Sequence, residues 1–99
     1  MDRYKVTAHV PYLDDETRMM SLFFALAPLG DAAVEALDEL RPLGLMRMEF
    51  RIQAKTLKQA WALANSTARD AWRAAWKRNY GGSEGIKIVG LEKLSETVE

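Results

Sequence analysis

Strict alternation of apolar and polar side chains over residues 3–12 and again over 45–54 constrains this chain more than any other feature. Tyr4, Val6, Ala8, Val10 and Tyr12 fall on one side of the first stretch, while Lys5, Thr7 and His9 fall on the other. In the second, Met46, Met48, Phe50, Ile52 and Ala54 oppose Arg47, Glu49, Arg51 and Gln53. Successive side chains of a strand point to opposite faces, so each stretch reads as a strand with one face in a core and the other in water. Pro11 cannot donate to a ladder and suits a strand end or an edge.

Helical patterns fill the spaces around these strands. Asp14, Asp15 and Glu16 precede an apolar run, as at a helix start, where a carboxylate accepts from free backbone N–H groups and the dipole favours negative charge. The spacing predicts a helix over 14–27 whose apolar residues, Met19 to Ala27, span roughly 200° of arc, wider than one packing layer needs. Met20 and Phe24 lie at its far edge. Pro28-Leu29-Gly30 interrupts the pattern, and Ala33, Ala36, Leu37 and Leu40 at helical spacing suggest a second helix over 32–41, closed by Pro42 and Gly44. The longest helix is expected over 56–80, with Leu57, Ala60, Trp61, Ala64, Ala68, Ala71, Trp72 and Ala75 in a stripe about 120° wide. A third strand is expected over 85–91, and residues 92–99 form an acidic tail that either frays or extends it.

The resulting order is β-α-α-β-α-β. Helical connections favour parallel neighbours or strands separated by another strand. Wet strand faces exclude a sheet covered on both sides. The expectation is a single α+β domain over 1–99: a small open sheet of three strands, with room for a fourth, and helices on one face, ferredoxin-like in character.

The same residues narrow the chemistry. The 99-residue chain has no cysteine, which removes disulfides, thiolate nucleophiles and cysteine-ligated metals, and leaves a reducing, cytoplasmic setting as the natural one. Fourteen basic side chains balance fourteen acidic ones, so no net field draws it to nucleic acid or membrane. No apolar run is long enough to span a bilayer, and Met1-Asp2-Arg3-Tyr4 does not open a signal peptide. His9 is the only histidine and reads as a solvated strand residue. The Asp14–Glu16 cluster lacks the spacing of a calcium loop. Gly81 to Gly85 follows a helix instead of opening one, so it is a connector and not a phosphate cradle. No catalytic, cofactor-binding or metal-ligating residue is expected, and the chain reads as a non-enzyme.

Two surfaces carry the remaining signal. A protein interface is expected at Met20 and Phe24 together with the tryptophan-bearing end of the long helix, Arg69, Trp72, Arg73 and Trp76, because tryptophan and arginine concentrate interface energy. Its partner would be a second copy, giving a homodimer, or another protein, engaged through these helix faces or through an exposed edge of the sheet. The alternative is a nucleic-acid face on the wet side of the sheet, built from Lys5, His9, Arg47, Arg51 and Lys87 against Glu49 as the only acid. That face lacks the aromatic platform on which RNA-binding sheets stack bases, since Tyr4, Tyr12 and Phe50 fall on the apolar side. The alanine- and arginine-rich composition suits a small bacterial or bacteriophage accessory protein.

Overall fold

The computed structural model describes residues 2–11, 16–29, 31–75 and 86–94. The alternating stretches form the two long strands, β1 (Asp2–Pro11) and β3 (Leu45–Ala54), which pair antiparallel without interruption from Asp2↔Ala54 to Pro11↔Leu45. Their even-numbered side chains are buried and their odd-numbered ones stay partly or fully exposed. A short strand β2 (Ala33–Glu35) pairs with β3, and β4 (Lys87–Lys93) pairs with β1, giving a four-stranded antiparallel sheet in the order β2-β3-β1-β4. Each helical connection therefore joins two parallel strands with a third between them: β1 to β2 around β3, and β3 to β4 around β1.

Two helices, α1 (Glu16–Leu26) and α2 (Leu57–Ala75), cover the even face. The core joins Val6, Ala8 and Val10 of β1 with Met46, Met48 and Phe50 of β3, Leu22 and Leu26 of α1, and Ala60, Ala64, Ala68, Ala71 and Trp72 of α2. Phe50 is the largest fully buried side chain, and removing such a ring from water stabilises the fold by about 1.5–3 kcal/mol. Ala60, Ala64, Ala68 and Ala71 on one stripe of α2 offer the core only methyl groups, and Trp72 adds a large ring near the helix's C-terminal end. A two-way exchange fixes where α2 begins. The Thr56 hydroxyl accepts from Gln59 N–H at 3.1 Å, and the Gln59 side-chain carbonyl accepts from Lys55 N–H at 2.6 Å, a variant of the capping box.

The segment 32–41 departs from expectation. It is not a helix: Ala33–Glu35 is the fourth strand, followed by a turn at 38–40 and a single 3-10 turn at Arg41–Leu43. The element order is consequently β-α-β-β-α-β rather than β-α-α-β-α-β. An isolated helix of that length is marginal in water, whereas the outer edge of β3 offers backbone partners at once. Leu40 still enters the interior, and its N–H donates to Leu37 C=O at 3.0 Å. Gly44, at φ +71°, closes the 3-10 turn by donating to Arg41 C=O at 2.9 Å, a conformation that suits glycine.

Other boundaries move less. The expected first strand runs Asp2–Pro11, with Tyr12 outside the described residues, as are Asp14 and Asp15 of the expected first helix. Described α2 ends at Ala75, so the expected stretch 76–80 lies outside, as does the connector at 81–85. The last strand takes in Glu92 and Lys93, so the beginning of the expected tail belongs to the sheet. It carries a bulge: Gly90 faces Thr7 and Ile88 faces Ala8, leaving Val89 extra between them.

Candidate interaction surfaces

The wet face of the sheet gathers Arg3, Lys5, Thr7 and His9 of β1, Arg47, Glu49, Arg51 and Gln53 of β3, and Ala33 and Glu35 of β2. It is not the one-signed surface that a single acid would leave. Arg47 donates from Nη2 to Glu35 at 2.8 Å, and its Nε lies 3.9 Å from Glu49. That Nε is buried and donates to no acceptor among the described residues, so the pair with Glu49 is purely Coulombic. Lys5 approaches Glu49 at 3.6 Å, and Arg51 meets Asp31 at 3.1 Å. Glu35 and Asp31 belong to the segment expected to be helical, and their strand and loop positions bring two further carboxylates to this face. Each pair is partly solvated and contributes on the order of 0–1 kcal/mol, but together they cancel most of the local field. His9 has Arg47 and Lys87 as its cross-strand neighbours, so no carboxylate stands opposite it to orient the ring.

On the helical side the apolar surplus is concentrated at α1. Leu22 and Leu26 turn into the core, while Met20 is 48% and Phe24 62% exposed, one helical turn apart. Phe23 meets Phe24 edge to face, with ring centres 5.8 Å apart, which holds the exposed ring in place. Beside them a groove of about 300 Å³ is lined by Met19, Met20, Phe23 and Val34.

The long helix corrects part of the expected interface. Arg69 and Arg73 are exposed, as an interface role requires, but Trp72 is only 6% exposed and is part of the core. Trp76 lies outside the described residues. The exposed aromatic of α2 is instead Trp61, accompanied by Leu57, both assigned to the buried stripe by their spacing. They occupy the first two turns of α2, which starts three residues past the end of β3 and so sits at the rim of the sheet. Mid-helix Asn65 donates to Trp61 C=O at 3.0 Å.

A second cleft, about 430 Å³, opens beside β3 past the N-terminal end of β2 and is bounded by Arg3, Leu29, Asp31, Arg51, Ile52, Gln53, Leu63 and Thr67. No spacing in the sequence signals it, because it exists only through the shortness of β2. No helix among the described residues is long and apolar enough to cross a membrane. No family model matches this chain, and no curated protein or solved structure matches it either.

Proposed function

We propose that this protein is a non-enzymatic assembly module that self-associates through the outer arc of α1. The observation that carries the reading is the pair Met20 and Phe24, large apolar side chains left 48% and 62% exposed on a helix whose Leu22 and Leu26 are buried in the core. Isolated apolar residues on a surface are ordinary, but a phenyl ring beside an apolar groove is self-complementary. In a two-fold contact each favourable interaction occurs twice, so a ring from one protomer would fill the groove between Met19, Met20, Phe23 and Val34 on its partner while the reverse contact forms beside it. Zero net charge adds no long-range repulsion to such an encounter.

The order β-α-β-β-α-β with strands arranged β2-β3-β1-β4 supports reading the scaffold as ferredoxin-like, a split β-α-β arrangement. A cytoplasmic setting suits a chain that uses no cysteine.

Sedimentation velocity across the micromolar range tests the proposal. The native protein is expected to dimerise with rising concentration, and Phe24→Asp, which places a charge in the contact, is expected to remain monomeric with unchanged far-UV circular dichroism. A native protein that stays monomeric throughout, or a Phe24→Asp variant that dimerises equally well, overturns it.

A further inference from the structure

We propose that the cleft beside β3 binds an extended peptide by strand addition, and that the peptide carries acidic and apolar side chains in alternation.

β2 is only three residues long. It pairs with β3 only at Arg47, Met48 and Glu49, so residues 50–54 of β3 have no strand on that side among the described residues. The cleft is bounded by Arg51, Ile52 and Gln53 in succession. Side chains of consecutive strand residues point to opposite faces, so what these three share toward one cavity is their backbone edge. Every strand edge presents alternating N–H and C=O groups, the template used when a peptide adds to a sheet.

Alternation also specifies the guest. On the wet face the cleft is lined by Arg3, Arg51 and Gln53; on the helical face by Ile52 and Leu63, with Leu29 also at its border. A strand laid here turns successive side chains to these two environments in turn, an anionic one toward the arginines and an apolar one toward the leucines. Arg3 has no ion-pair partner among the described residues, whereas Arg51 is held at 3.1 Å by Asp31. Asp31 therefore occupies the place that an acidic guest side chain would take, and it does so with φ +48°, the sole non-glycine residue with positive φ among those described. An internal carboxylate that competes with the ligand makes a specific prediction: its neutralisation strengthens binding. This site shares no lining residue with the groove at α1, and neither proposal depends on the other.

The probe is a fluorescein-labelled, C-terminally amidated peptide of alternating glutamate and valine, titrated with the full chain at low ionic strength and followed by anisotropy. Binding is expected to weaken roughly tenfold in Arg3→Glu, an exposed position whose change leaves the core untouched. It is expected to tighten several-fold in Asp31→Asn, since asparagine tolerates the left-handed backbone and removes only the charge. Two versions of the peptide, N-methylated at odd or at even positions, separate strand pairing from simple charge attraction. One is expected to lose binding and the other to retain it, because only alternate N–H groups face the edge. Equal binding of both methylated peptides, an unchanged affinity in Arg3→Glu, a weaker affinity in Asp31→Asn, or no binding of the unmodified peptide would each overturn the proposal. Phe24→Asp is expected to bind the peptide as the native chain does, which keeps this test separate from that of self-association.

Discussion

α1 and α2 shield the same face of the same sheet by opposite means. α2 comes close: Ala60, Ala64, Ala68 and Ala71 line its inner stripe, and its outer positions, including Lys58, Gln59, Ser66, Arg69, Asp70 and Arg73, are exposed and polar. α1 stands off on leucines, with Leu22 and Leu26 filling the space beneath it, and keeps apolar side chains on its outer side as well. The difference teaches that apolar content alone does not mark a contact surface. α2 buries its large apolar side chain Trp72 and its alanine stripe in the interior, and leaves Leu57 and Trp61 exposed at the rim. α1 has more than one layer can absorb, and the remainder faces outward.

Three substitutions sharpen or break this contrast, each read by urea denaturation at one fixed protein concentration so that association does not distort the comparison. The largest effect is expected from Leu26→Ala, which leaves a void where α1 depends on side-chain bulk; a loss of about 2–5 kcal/mol is expected. Ala64→Leu attacks the opposite device by forcing a larger side chain into the alanine seam, with an expected loss of about 1–3 kcal/mol. A neutral Ala64→Leu would mean that α2 does not approach the sheet closely and that the two helices pack alike. The smallest effect is expected from Phe24→Ser, within about 0.5 kcal/mol for the monomer, because an exposed ring contributes little to the fold that carries it. A loss of several kcal/mol there would make Phe24 a core residue and remove the distinction between the two sides of α1.

Much of this molecule could be read before its coordinates. β1 and β3 fall where alternation puts them, to within a residue, because a one-position slip would turn every apolar side chain to water. The excess arc of α1 and the exposure of Met20 and Phe24 follow from counting apolar positions around one helix. What stayed hidden is non-local. Ala33, Ala36, Leu37 and Leu40 satisfy a helical period, and only the presence of β3's free edge, supplied by residues more than ten positions later, converts Ala33–Glu35 into a strand. That conversion also brings Glu35 beside Arg47 and Asp31 beside Arg51, which no reading of separate segments could pair. The cleft next to β3 shares this origin, and so does the misplacement of Trp61, whose exposure depends on where the sheet stops and not on its own helix.

The bulge in β4 gives the sheet a direction. On that outer rim an unpaired Val89 breaks the regular repeat, and Lys87 and Lys93 stand near its two ends. Kinked, lysine-flanked rims resist docking by foreign strands. The opposite rim has no paired strand over the second half of β3 among the described residues. A sheet receptive on a single flank can accept one visiting strand but cannot hand the pattern on, so chains of molecules joined rim to rim have no second rim to grow from. On the proposal of strand addition, the molecule would be a terminus: a strand received along β3 would not be passed on.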